Sequence, residues 1–285
     1  MEIKQILNNF LEVSEELGND SAISLIKDFA EKNSNQRYEL PLIGQFSSGK
    51  SATINHLLGR NLLPTKSIES TAFATFISYS ENEYATLVLE DGNVEDISFE
   101  DIKLLDNNKV VETGKQIKSL NIGVNSDLLK SGLTFVDTPG VNTIITTHIE
   151  ITERILKSAQ CIIYVVAKNI TDEDALMIQT IEAQNIPVIF VRTHIDDIKR
   201  TEENWETAIR ENEKNISDKL GHPVRYFAIS NDTSRKEFES NFNTLLTYLT
   251  KEIASNVKNV FEKAIIERLE PIKAELESSI SIRKN

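Results

Sequence analysis

The sequence predicts an α/β protein: a doubly wound, mostly parallel sheet, with N- and C-terminal helices forming a small bundle. Three observations carry this. Apolar, strand-like runs alternate with helical patterns through the middle of the 285-residue chain. One of those runs enters a Gly-containing octet, residues 44–51, that opens a helix. Both ends carry long amphipathic patterns of helical period.

In chain order, residues 2–32 place Ile3, Ile6, Leu7, Phe10, Leu11, Leu17, Ile23, Ile26 and Phe29 at helical spacings around a Gly18-Asn19 break. Strands are expected near 38–43, 72–80, 84–90, 132–136, 161–167, 187–192 and 224–229. The unbroken apolar runs at 161–167 and 187–192 suit central strands covered on both faces. Asp91-Gly92 marks a turn in an inserted, mainly antiparallel stretch that ends near 124. Thr171-Asp-Glu-Asp174 reads as a capping box with acids at a helix's positive end, rather than as a metal site. Residues 251–283 carry one apolar stripe from Ile253 to Ile280. Pro271 falls inside that stripe, where it is expected to kink the helix as a hinge or to start a new helix. The expected division is 1–35 for the first bundle helices, 36–250 for the sheet domain and 251–285 for the last bundle helix.

The octet Gly44-Gln45-Phe46-Ser47-Ser48-Gly49-Lys50-Ser51 fits G-x-x-x-x-G-K-[ST] in full, and Ala52 continues into the helix. Its chemistry follows from spacing. A strand ends, small residues wrap an anion, and a helix opens with free N–H groups aimed at it. Gly44 and Gly49 let backbone approach phosphate, Lys50 reaches the β- and γ-phosphates, and Ser51 ligates Mg²⁺. Tyr38–Ile43 leads in as a strand and 52–58 leads out as a helix, the setting this phosphate loop requires.

Three later segments narrow the nucleotide. An apolar strand ends at Asp137, whose carboxylate is placed to hold Mg²⁺, and Gly140 follows with an N–H able to sense the γ-phosphate. The strand 187–192 runs into Thr193-His194-Ile-Asp196, which resembles the guanine-reading T/N-K-x-D element of GTPases, with His194 where Lys is usual. An Asp there accepts from guanine N1 and N2, groups adenine lacks. The strand near 224–229 ends in Ala-Ile-Ser230-Asn231, similar to the last, weakest base-contacting element. Between the phosphate helix and the second strand, Thr71 is the expected switch threonine for Mg²⁺ and the γ-phosphate, with Thr65 as fallback.

Together these motifs resemble the dynamin superfamily, and within it the bacterial dynamin-like and mitofusin-like branch. The likeness rests on Gly44–Ser51 followed by Ile54-Asn-His-Leu-Leu-Gly59, on Leu63-Pro64, and on the Thr before strand two. It covers about residues 36–255. It implies a P-loop NTPase fold with GTP as substrate and Mg²⁺ as cofactor. Catalysis would involve Ser47, Lys50, Thr71 and Gly140, and the metal would rest on Ser51, Thr71 and Asp137. Phe46 stands where dynamins proper carry a water-placing Gln, and Val141 follows Gly140 where small GTPases carry theirs. The resemblance therefore implies homodimerisation through the GTPase domains to complete the site, with a second dynamin-like subunit as a further partner. Arg37 and Arg60 read as surface residues rather than arginine fingers. Such proteins are much longer, so this chain is expected to be a GTPase-domain portion or a short subunit of a larger system. Membrane remodelling is implied by the resemblance alone, with membrane contact through parts not visible here. A low-turnover GTP switch acting through a protein partner, or an ATPase of the same fold, are the competing readings.

Composition bounds the rest. A net charge of −13 argues against nucleic acid or anionic lipid as a non-specific partner. Cys161 is the single cysteine, so no disulfide framework forms within the chain, and a reducing, cytoplasmic setting is expected; a peripheral position at a membrane is implied by the resemblance alone. No signal peptide and no apolar run of spanning length is present, and the four histidines lack zinc spacing.

Overall fold

The computed structural model describes residues 2–65, 73–102, 117–140, 152, 155–156, 159–198 and 205–284. Thr71 and Val141 lie outside the described residues. The chain opens with helices α1 (Ile3–Leu17) and α2 (Asp20–Ser34). The break between them is local chemistry. Gly18 ends α1 in the left-handed region at φ +71°, and the Asn19 side chain accepts from Ala22 N–H to cap α2.

Nine described strands form one sheet in the order β4-β3-β5-β2-β6-β1-β7-β8-β9. They are β1 (Tyr38–Ile43), β2 (Ala74–Tyr79), β3 (Tyr84–Leu89), β4 (Val94–Asp96), β5 (Ile117–Val124), β6 (Leu133–Asp137), β7 (Ile162–Val166), β8 (Val188–Arg192) and β9 (Arg225–Ala228). Strands β6, β1, β7, β8 and β9 run parallel, and β2 joins β6 antiparallel. The inserted stretch is mainly antiparallel, as expected, with one parallel pairing. Strand β3 is antiparallel to β4 and β5, while β5 runs parallel to β2. Strand β1 is buried at all six positions, as a central parallel strand must be. It tolerates Pro41 because β7 pairs with it only from Leu42 onward.

The interleaved helices are α3 (Lys50–Leu57), the short α4 (Phe99–Ile102), α5 (Asp172–Glu182), α6 (Trp205–Leu220) and α7 (Glu239–Tyr248). One core packs Leu40, Leu42, Ile54, Phe135 and Val165 with Leu245 and Phe261. The other sheet face packs Ile43, Tyr164, Ile178, Phe190 and Ile216. The sheet thus carries an apolar layer on each face.

The last helix, α8 (Val257–Lys284), crosses from one core to another. Val257 and Phe261 pack into the sheet core, while Ile265, Leu269, Ile272 and Leu276 pack with Ile3, Leu7, Ile26 and Phe29 of α1 and α2. A π-helical turn over Leu249–Ile253 and a 3₁₀ turn over Ala254–Asn256 interrupt the stripe before α8 begins. Pro271 does not end the helix, which runs through it. Proline lacks the N–H that would meet Glu267 C=O four residues back. Asn185 Nδ2 donates to that carbonyl at 2.9 Å instead, tying the turn between α5 and β8 to α8. Next to it, Arg268 is buried and donates to Ala159 C=O, with its guanidinium over the Phe29 ring.

Candidate nucleotide site

The octet forms the link from β1 to α3, at the carboxyl ends of the parallel strands, between β6 and β7. That is the topological position where open α/β sheets bind ligands. Gly44 is required by contact: a Cβ there would lie 2.2 Å from Val165 C=O on β7. Gly49 turns the chain into α3 at φ +95°. Ser47 takes φ +57° at the exposed tip, an uncommon conformation for a residue with a side chain.

Lys50 is 7% exposed and donates from Nζ to Gly44 C=O and Gln45 C=O at 3.0 Å each. Burial lowers its pKa to about 8, and the Asp137 charge offsets part of that. Ser51 Oγ donates to Asp137 Oδ2 at 2.6 Å. The register of β1 against β6 sets this contact by pairing Leu42 with Asp137. Burial raises the Asp137 pKa, against the lowering pull of Ser51 and Lys50. Asp137 Oδ1 is buried without a hydrogen-bond partner, and so is Ser48 Oγ. Unmet buried polar atoms are costly, and their gathering at one loop marks a place where a ligand or ion completes the bonding.

The implied Mg²⁺ is tested by this donor set. Ser51 and Asp137 present hard oxygens side by side, with one carboxylate oxygen unmet, and they fit the ion.

Neighbouring segments brace the loop. Gly140 packs on it so tightly that a Cβ would lie 2.8 Å from Phe46 Cα and N. Thr138 Oγ1 donates to Leu42 C=O at 2.7 Å. Thr193, fully buried, donates from Oγ1 to Ser48 C=O at 2.6 Å, so its side chain is engaged with the loop. His194 follows in the left-handed region at φ +55°, half-exposed, with Nδ1 3.6 Å from Asp197 Oδ2. Asp196 sits half-buried in the 3₁₀ turn Ile195–Asp197. Ser230 is buried and accepts from Asp232 N–H. Asn231 Nδ2 donates to Thr53 Oγ1 at 3.1 Å, so it clasps α3, into which Ala52 is also built. A Cβ on Gly49 would meet both Thr193 and Asn231 within 3.4 Å, which brings the segments after β8 and β9 against the octet.

Of the expected site residues, only Thr71 falls outside the described residues. The fallback, Thr65, is exposed. Arg60 is paired with Glu83 and Arg37 with Glu39.

The sequence reading missed a contact that braces the loop. Gln45 Nε2 donates to Asp174 Oδ2 at 2.6 Å, and Tyr164 OH donates to Asp174 Oδ1 at 2.7 Å. The capping box of Thr171 and Asp174 forms as the sequence predicts. Its link to Gln45, 129 residues away in sequence, carries no local signal.

The dynamin family model matches residues 40–195, more than half of the chain. "Dynamin-like protein 2" of Campylobacter jejuni is 40% identical over 108 residues, covering 36% of this chain and 16% of that protein. "Dynamin-like protein A" of Bacillus subtilis is 24% identical over 245 residues, covering 82% of this chain and 20% of that protein. An uncharacterized protein of Caldicellulosiruptor, encoded in the xynA 3′ region, is 28% identical over 207 residues, covering 69% of this chain and 50% of that protein. The chain thus spans half or less of the length of these relatives. A solved structure described as an oligomerised bacterial dynamin pair, with a mechanism for long-range sensing and tethering of membranes, superposes with a TM-score of 0.67. That likeness is at 25% identity and covers 92% of this chain and 42% of the other. With the family model, the phosphate loop on β1 and the sheet order in agreement, the chain belongs to the dynamin family and has the fold of its GTPase domain.

Proposed function

We propose that this chain binds GTP with Mg²⁺ and hydrolyses it, that two GTPase domains pair across the nucleotide, and that their closure moves the helical bundle in work at a membrane. The observation that carries the reading is the preformed pair of Ser51 Oγ and Asp137 beneath a phosphate loop, with Asp137 Oδ1 still unmet.

Each residue has a role. Lys50 gives up its two carbonyl contacts to reach the β- and γ-phosphates. The amides from Ser48 to Ala52 hold the α- and β-phosphates at the start of α3. Ser51 and Asp137 hold Mg²⁺, which neutralises charge on the phosphate oxygens. Asp196 reads the guanine N1 and N2 groups, while His194, Ser230 and Asn231 shape the base pocket. Thr193 braces Ser48. Ser47, Gly140 and Thr71 close over the γ-phosphate. The residue directly after Gly140 is the apolar Val141, and Phe46 stands 42% exposed at the mouth of the loop. Both facts support a second domain covering the site and supplying order to the attacking water. The similar structure, described as an oligomerised pair that senses and tethers membranes, supports pairing and peripheral membrane work. Among the described residues no helix is long and apolar enough to cross a membrane.

Hydrolysis rates with GTP and with ATP over a range of protein concentrations test this. Turnover per molecule should rise with concentration and favour GTP. A flat rate per molecule would point instead to a GTP switch, and ATP preference to an ATPase on this fold.

A further inference from the structure

Asp174 does more than cap a helix. It lies in the first turn of α5 and is only 3% exposed. A capping carboxylate needs one partner, here the Thr171 N–H at 2.9 Å. Asp174 takes two more donors from separate elements: Tyr164 OH on β7 at 2.7 Å and Gln45 Nε2 in the phosphate loop at 2.6 Å. Burial, and then the Asp174 carboxylate itself, raise the Tyr164 pKa, so its hydroxyl stays a donor. A buried carboxylate with three charge-assisted bonds is a stiff anchor.

Gln45 occupies a pivotal point. Its carbonyl accepts from Lys50 Nζ at 3.0 Å and from Ser48 N–H at 3.2 Å, closing the loop's first turn. Its side chain is the half held by Asp174. One residue is therefore clamped at both ends, and the orientation of the loop between Gln45 and Ser48 follows from that clamp.

We propose that Asp174 is a positioning residue of the phosphate loop, holding Gln45 so that the loop is ordered before nucleotide arrives. This rests on the nucleotide-binding reading of the loop. Ordering in advance removes a cost that binding would otherwise meet, so loss of the anchor weakens nucleotide affinity.

The test measures affinity for GTP and a non-hydrolysable analogue with Mg²⁺, alongside thermal unfolding, on the full chain. Asp174→Asn keeps an oxygen for the Thr171 N–H but loses the charge, and affinity should fall about tenfold. Gln45→Glu sets two carboxylates against each other and should lower affinity further. Gln45→Glu with Asp174→Asn removes the clash of two carboxylates, so affinity should recover about tenfold relative to Gln45→Glu alone, at some loss of the helix cap because Oδ2 serves both Gln45 and the Thr171 N–H. Gln45→Leu leaves the cap intact and should weaken binding with little change in unfolding temperature, which keeps the test standing if an Asp174 variant folds poorly. Variants that unfold earlier yet bind as wild type, or a double variant that recovers nothing, would overturn the assignment of Asp174 alone. A wild-type chain that binds neither GTP nor the analogue would remove the nucleotide reading, and this inference with it.

Discussion

Lys50 is a cation whose resting position is unfavourable, and nucleotide should relieve it. Its ammonium is buried against two backbone carbonyls, with pKa lowered from 10.5 to about 8 chiefly by desolvation. Keeping it charged costs the nucleotide-free fold about 3 kcal/mol at neutral pH. Because the folded pKa lies below the unfolded one, that cost is present in full below about pH 8 and fades as pH rises toward 10.5. Phosphate oxygens replace the carbonyls and hold the proton on, so binding draws a proton from solvent wherever free Lys50 has lost one. With a pKa of about 8, uptake should rise from about 0.2 to about 0.8 proton per nucleotide between about pH 7.5 and about pH 8.5. Over that interval the Kd for GTP should rise about threefold. The window lies above the last phosphate ionisation, near pH ~6, and below loss of the guanine N1 proton. Isothermal titration calorimetry in two buffers of different ionisation enthalpy reads the uptake directly. Lys50→Arg stays charged throughout and should show no uptake although affinity drops. Wild-type protein that binds GTP with no uptake and a flat Kd across this range would refute the argument.

Asp196→Asn should lower the preference for GTP over ATP by about tenfold or more in a competition titration, because the acceptor pair facing guanine N1 and N2 is lost; an unchanged ratio would count against guanine reading at this position. Asn185→Ala leaves the Glu267 carbonyl unmet opposite Pro271 and should cost about 1 kcal/mol in urea unfolding. The same substitution made on Pro271→Ala should cost close to nothing, since the backbone N–H restored at that position then supplies the helical bond; equal costs in both backgrounds would sink that account of the helix.

Seven of the nine described strands and the strand–loop–helix turn of the octet were legible in the sequence because their causes are local, whereas β4 and β5 were expected only as part of an inserted stretch. Unbroken apolar runs at β7 and β8 read as doubly covered strands, and the Gly44 and Gly49 spacing dictated a strand–loop–helix turn. Gly18-Asn19 and Thr171–Asp174 announced helix ends through short-range capping. The start of α8 was misplaced because nothing local separates Ile253 from Ile265. One packs against the sheet and the other against α1 and α2, a choice made by packing geometry.

The amino-acid sequence by itself thus determined the strand–loop–helix turn of the octet and the central parallel strands, since backbone turns and apolar periodicity act over a few residues. Only the tertiary structure decided what surrounds that turn. It set Asp137 beside Ser51 through strand register, gave Asp174 to Gln45 across 129 positions, and lent Asn185 to the carbonyl that Pro271 leaves unmet. Buried hydrogen bonds choose partners by proximity in space, and proximity is settled only when the sheet and its helices have packed.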